Sequence, residues 1–230
     1  MGAGRRVERV TPLYEVTRGQ DRFTYDDDAH VYTLNGAVLP SNTRILEAGG
    51  ITSYDDVPQE RLEYAKNRGK AVHRAVQLYL EGTLDRSALH PDISPYLMGF
   101  ERFLELTRFE ANIVERPIYS KQWRFATTPD LIGQFPKNPP TNSIVEIKTT
   151  AASVNPGRIQ TAGQLLATTE YYAPDAKVEN TDRYVLELKP LDFKLHGPFL
   201  NTQEEIVVFQ SCVWISNWKM RYGRQNGGHK

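Results

Sequence analysis

Two short stretches carry residue types that could do metal-assisted chemistry. Thr128-Pro129-Asp130-Leu131-Ile132-Gly133 and Ile144-Val145-Glu146-Ile147-Lys148-Thr149 are apolar runs, each with an acid planted in it. In the second run Glu146 and Lys148 are two apart, so on a strand both side chains leave by one face. Val145 and Ile147 leave by the other, into a core. Between the runs, Phe135 to Asn142 holds Pro136, Asn138, Pro139 and Pro140, which is turn chemistry. The simplest geometry is two antiparallel strands that bring Asp130 beside Glu146 and Lys148. Two carboxylates with an ammonium next to them suit a hard divalent cation with oxygen ligands, the lysine facing an attacking water or a phosphate. An acid, acid-x-lysine triple also arises often by chance, and a surface hairpin with a solvated Glu–Lys pair carries the same letters. The elements on either side decide between them.

A chain of 230 residues fits one α/β domain and can bury a sizeable core. Lys+Arg 28 against Asp+Glu 28 leaves no net charge, so any grip on a polyanion must come from a local basic surface. The single cysteine, Cys212, excludes an internal disulfide framework and a four-cysteine zinc or iron–sulfur site. Its place in the apolar run Ile206 to Ile215 makes it a packing residue. No apolar stretch reaches the length of a membrane span. The opening Met1 to Arg6 has no apolar signal core, so a soluble, cytoplasmic setting is the expectation.

Residues 1–12 and 221–230 read as flexible tails, and 13–220 as a single domain. Tyr14 to Leu39 has a β pattern, with Asn35-Gly36 as a two-residue hairpin signal. Asp26-Asp27-Asp28 with His30 reads as a solvated turn. Pro40 to Leu46 reads as a strand exit and a capped short helix ending at Gly49-Gly50. Asp55-Asp56-Val57-Pro58 opens a long helix that stops before Gly82, with Leu62, Ala65, Gly69, Val72, Val76 and Leu80 as its buried stripe. His73 lies beside that stripe, where a lone histidine is ordinarily a satisfied core residue. Arg61, Lys66, Arg68, Lys70 and Arg74 on its other faces form the densest basic cluster in the chain. A second helix follows from Ser94 to Arg108, then Ala111 to Ser120 as one strand with Pro117 at an edge or bulge. Beyond Lys148, Thr149 to Gly157 reads as a loop, and Arg158 to Ala167 as a helix whose small Ala162, Gly163 and Ala167 permit tight packing against the sheet. Arg183 to Leu188 and Phe193 to His196 form a hairpin, and Thr202 caps a last helix through Phe209, Val213, Trp214 and Trp218.

Taken together, Pro129-Asp130 and Glu146-Ile147-Lys148 resemble the PD-(D/E)xK nuclease superfamily. Within it, Gly69-x-x-x-His73 upstream and the Gln160 helix downstream resemble the RecB-like exonucleases of phage recombination, mitochondrial single-strand processing and CRISPR adaptation. The likeness covers roughly residues 30 to 215, in one order. It implies a restriction-endonuclease-like α/β fold: a central mixed β-sheet flanked by helices, with the N-terminal β-hairpin as an addition. It implies Mg²⁺ or Mn²⁺ held by Asp130, Glu146 and the Ile147 carbonyl, with His73 at the metal site, Lys148 as the water-orienting cation and Gln160 positioning a water or phosphate. Glu115 matches an acid that many relatives carry one strand earlier; a charge on the strand's exposed face is the equal alternative. Gln164 departs from the pattern, standing where tyrosine is commoner. Lys66, Arg68, Lys70, Arg74 and Arg158 are candidate DNA contacts. The implied activity is that of a metal-dependent DNA exonuclease in phage-type recombination, repair or DNA processing, within a bacterial or phage-infected cell. Its partners would be single-stranded DNA or duplex ends, and a single-strand annealing or replication protein. The missing cysteines exclude an iron–sulfur form. The alternatives are a structure-selective or sequence-specific endonuclease of the same fold, a non-cleaving nucleic-acid-binding module, and an unrelated metal-independent domain.

Overall fold

The structure is a computed structural model that describes residues 13–53, 57–137, 141–172 and 181–223. Asp55, Asp56, Asn138, Pro139, Pro140 and both predicted termini up to residue 12 and from residue 224 lie outside the described residues.

The N-terminal β region is larger than one hairpin. Strands β1 (Leu13–Arg18), β2 (Asp21–Asp26), β3 (Val31–Leu34) and β4 (Ala37–Leu39) form an antiparallel sheet in that order. Asn35 and Gly36 both have positive φ, 52° and 79°, the pair of left-handed residues that a type I′ turn requires. With that turn fixed, Leu34 stands opposite Ala37 and Tyr32 opposite Leu39; on the other side of β3, Tyr25 pairs with Tyr32 and Phe23 with Leu34. Phe23, Tyr25 and Tyr32 all face inward and are buried.

Helix α1 (Asn42–Ala48) starts where Ser41 Oγ accepts a hydrogen bond from the Arg44 amide, and it stops at Gly49. Helix α2 (Gln59–Leu80) follows Pro58, and Gly82 beyond it is left-handed. Its buried stripe is narrower than predicted. Val72, Ala75 and Val76 are buried, whereas Leu62, Ala65, Gly69 and Leu80 are only half-covered. Only the second half of α2 lies against α3 (Ser94–Thr107), whose Leu97, Phe100 and Phe103 complete that core.

Five strands make the central sheet, in the order β11 (Asp192–His196), β10 (Thr181–Lys189), β9 (Asn142–Lys148), β8 (Leu131–Gln134) and β5 (Glu110–Val114). The β9–β10 pair is parallel and the other pairs are antiparallel. Parallel neighbours need a crossover, which α4 (Val154–Tyr172) supplies. Val145 and Ile147 pack toward α2 and α3, while Ile144 packs toward α4 and α5 (Thr202–Tyr222). The chain is thus mixed α/β: a mixed five-stranded sheet flanked by helices, beside an N-terminal antiparallel sheet.

Five local predictions are corrected. Ala111 to Ser120 is two strands in different sheets, because Glu115 is left-handed at φ 44° and donates its amide to the Asp130 carbonyl. Pro117 has no amide to resume the ladder, and β6 (Ile118–Ser120) pairs instead with β7 (Phe125–Thr127). Helix α4 begins at Val154, not Arg158, because Pro156 falls in the first turn, where its missing amide costs nothing. Within it, Gly163 packs on Phe209 of α5 rather than on the sheet; a Cβ there would meet that ring at 2.5 Å. Asn201 precedes α5 and Thr202 Oγ1 donates to the Phe199 carbonyl, so Thr202 caps nothing; at the other end the helix runs to Tyr222, past the predicted boundary.

Candidate metal centre

The site gathers at the ends of β8 and β9, and each side chain arrives there for a local reason. Asp130 is the residue just before β8. The β8–β9 register sets Leu131 opposite Val145, so Asp130 meets the end of β9, where its Oδ2 accepts the Ile147 amide at 2.5 Å. Glu146 and Lys148 leave β9 on the α4 face, as their spacing predicts. The left-handed turn at Glu115 swings its carboxylate off β5 and toward α2. His73 reaches in from the half-covered edge of α2.

His73 Nδ1 donates to Glu115 Oε1 at 3.0 Å and lies 3.2 Å from Asp130 Oδ1. His73 Nε2 faces the Ile147 carbonyl at 3.2 Å. Both ring nitrogens therefore meet only acceptors, which suits an imidazolium carrying two N–H groups. Burial by itself would lower the His73 pKa; the Asp130 and Glu115 carboxylates outweigh it and hold the ring well above its ordinary range. Ligand atoms of His73, Glu115 and Asp130 all lie within 4.8 Å of one another. Two carboxylates and an imidazole gathered at the Nδ1 side of His73 form a donor set that could hold a divalent ion such as Mg²⁺ or Mn²⁺; the Ile147 carbonyl faces the other ring nitrogen.

Glu146 is not one of those three groups and has its own partners. Its Oε1 accepts from Lys148 Nζ at 2.6 Å and its Oε2 from Gln164 Nε2 at 2.6 Å. It is almost fully buried. Burial, then the charge of Asp130, raise its pKa, and Lys148 opposes them. Lys148 Nζ also donates to Gln160 Oε1 at 2.9 Å. Gly157 leaves room for this lysine, since a Cβ there would stand 3.2 Å from Lys148 Cε and 3.1 Å from Val185. Glu146, Lys148 and Gln160 are thus one connected chain of contacts beside the His73–Glu115–Asp130 cluster.

Gln164 is a member of this site that the sequence reading left without a role. Its spacing is the signal, since positions 160 and 164 share a helix face. Gly69 is explained less well by the fold than a mid-helix glycine suggests. A Cβ there would meet only Thr149 Oγ1, at an ordinary 3.9 Å; nothing in the described residues requires glycine.

The basic residues divide. Arg68 is half-buried, donates to the Thr149 carbonyl at 3.3 Å and lies 5.3 Å from the Tyr96 ring centre. Arg158 pairs with Glu205, which also holds the fully buried Arg183, and stays partly exposed. Lys66, Lys70 and Arg74 remain exposed on α2. Lys70 also acts on His30, whose pKa is lowered by burial, then by the charges of Lys70 and Arg44. Arg44, exposed on α1, therefore extends the basic face beyond α2, while His30, with its lowered pKa, adds no charge to it. The three-aspartate turn itself is closed by its own contacts, Asp26 accepting the Ala29 amide and Asp27 the Tyr25 hydroxyl.

Compared with known proteins, the chain matches no protein-family model and no curated protein. Among the described residues no helix is long and apolar enough to cross a membrane.

Proposed function

We propose that this chain is a divalent-metal-dependent DNA nuclease of the PD-(D/E)xK type, on a restriction-endonuclease-like fold of the RecB-like branch, acting as an exonuclease. One observation carries the reading: His73, Glu115 and Asp130 converge to within 4.8 Å beside a lysine braced by Glu146 and Gln160. Asp130, Glu115, His73 and the Ile147 carbonyl would hold the ion, and Glu146 is the further carboxylate at Asp130's side. A bound Mg²⁺ or Mn²⁺ supplies charge stabilisation at the scissile phosphate and lowers the pKa of water.

The chain's own part is positioning. Gln160 and Glu146 restrain the Lys148 ammonium, which orients the attacking water and meets negative charge as it grows on phosphate. The attacking water gives a proton to solvent as its oxygen forms a new P–O bond, the P–O bond to the leaving sugar oxygen breaks, and that oxygen takes up a proton from solvent. Gln164 keeps Glu146 aimed at Lys148.

Digestion of end-labelled linear and closed circular DNA with Mg²⁺, Mn²⁺ or EDTA tests the proposal. Loss of linear substrate with either ion, none with EDTA and intact circles are the expected results. Cut circles would move the assignment to an endonuclease. Binding without cleavage would make the chain a nucleic-acid-binding module, and full activity in EDTA would remove the metal from the mechanism.

The grip on substrate is expected to come from Lys66, Lys70 and Arg74. Affinity for duplex should fall steeply with salt, by roughly one unit of log–log slope per phosphate contact. Neutralising Lys70 and Arg74 together should weaken binding to all sequences alike and flatten that slope, because phosphate contacts carry no sequence information. A double variant with an unchanged slope would place the groove on another face.

A further inference from the structure

Helix α5 has two faces with opposite characters. Ile206, Phe209, Cys212, Val213 and Ser216 are buried against α1 and α4. On the outer face Val207 is 51%, Trp214 69% and Trp218 61% exposed. Single exposed apolar residues are ordinary, but two tryptophans one turn apart with a valine in line form a contiguous patch. Its spacing is regular. Positions 204, 207, 211, 214, 218 and 221 alternate steps of three and four, the seam of a paired helix, and all six are exposed. Glu204 stands at one end of the seam and Arg221 at the other, with Ser211 near the middle.

We propose that this seam pairs with the same seam of a second copy of this chain, antiparallel, about a twofold axis between Cys212 and Val213. In that register Val207 faces Trp218, and Trp214 lies over the small Ser211. Glu204 meets Arg221 at both ends. The patch is thereby its own complement, as a twofold interface requires. A parallel pair would set Glu204 against Glu204 and Arg221 against Arg221, and like charges face to face are disfavoured. The 21-residue helix is about 31 Å long, so one helix pair falls at the small end of specific interfaces. The dimer should therefore exchange with monomer in the micromolar range. No side chain of α5 contributes to the metal centre, so cleavage does not depend on pairing.

Sedimentation equilibrium of the full chain from ~1 to ~100 µM tests this, with a thermal melt of each variant as the check on folding. A reversible monomer–dimer equilibrium is expected, and Trp218→Glu should weaken it by ~100-fold, the scale of a tryptophan that anchors an interface. Glu204→Arg should weaken it as well, and Glu204→Arg with Arg221→Glu in one chain should restore it, because the reversed pair forms across the axis. Cleavage by Trp218→Glu should equal that of the parent. The proposal is overturned by a chain that stays monomeric over the whole range, by a dimer indifferent to Trp218→Glu, or by a double charge reversal no better than the single one. Quenching of Trp214 and Trp218 emission by single-stranded oligonucleotide in a monomeric chain would also overturn it and assign the face to nucleic acid.

Discussion

Lys148→Ala is expected to reduce phosphodiester cleavage by about 10²- to 10⁴-fold, the range lost with a positioned proton-handling or charge-stabilising group, while the protein stays folded. The lysine is the cation that Glu146 and Gln160 hold in one place. Its removal leaves Glu146 buried with Gln164 as its remaining partner. Glu146 already has a raised pKa from burial and from Asp130, so it can respond by taking a proton. That limits the stability cost to about 1–3 kcal/mol, the usual penalty for a buried group that loses a partner. Single-turnover cleavage under saturating Mn²⁺, beside urea unfolding in EDTA, separates the two quantities. Asp130→Asn and Glu146→Gln should give comparable losses of rate. Near-normal turnover by Lys148→Ala would take the lysine out of the chemistry and the PD-(D/E)xK reading with it.

His73→Ala is expected to lower Mn²⁺ affinity and activity by orders of magnitude, and also to destabilise the metal-free protein in a pH-dependent way. From sequence, a ligand and a core histidine differ in which property truncation changes. The geometry gives His73 both roles, because in the metal-free protein its imidazolium lies against Glu115 and Asp130. Its folded pKa is raised above the unfolded value near 6.5. The stabilisation it provides is therefore complete below that unfolded value and is lost as pH rises through the higher folded one. In EDTA, the difference in unfolding free energy between parent and His73→Ala should be largest near pH 6, on the order of 1–3 kcal/mol, and shrink in alkaline solution. A metal ion must displace a proton from the ring. Calorimetry at pH 7 in buffers of different ionisation enthalpy should thus show proton release by the parent that His73→Ala lacks. A variant that loses stability but keeps Mn²⁺ affinity and cleavage would confine His73 to the ion pair.

Much of the fold follows from local chemistry. Asn35-Gly36 makes its turn because both residues tolerate the left-handed conformation. Ser41, Pro58 and Gly82 bound their helices through hydrogen bonds and dihedral limits that act over a few residues. The period-two alternation of Val145, Glu146, Ile147 and Lys148 sets which side chains share a face, and Asp130 joins them because β8 pairs antiparallel with β9.

The remaining decisions belong to the tertiary structure. Glu115 had equal claims to solvent and to a site on sequence grounds. A left-handed residue held by the Asp130 carbonyl turned it toward His73, and that bond joins segments far apart in the chain. Arg158 reads from sequence as a candidate DNA contact; that it shares Glu205 with Arg183, from α5 and β10, depends on charges arriving from other elements, about which periodicity on one helix says nothing. Gln164 carried its signal in the four-residue step from Gln160, but its partner is fixed only when α4 lies over β9. Helix α5 is the plainest case. Alternation of apolar residues places Phe209, Val213, Trp214 and Trp218 on a helix, but α1 and α4 together cover only one side of it. The tryptophans stay outside because burial is set by which surfaces the rest of the chain can reach, and no local rule contains that.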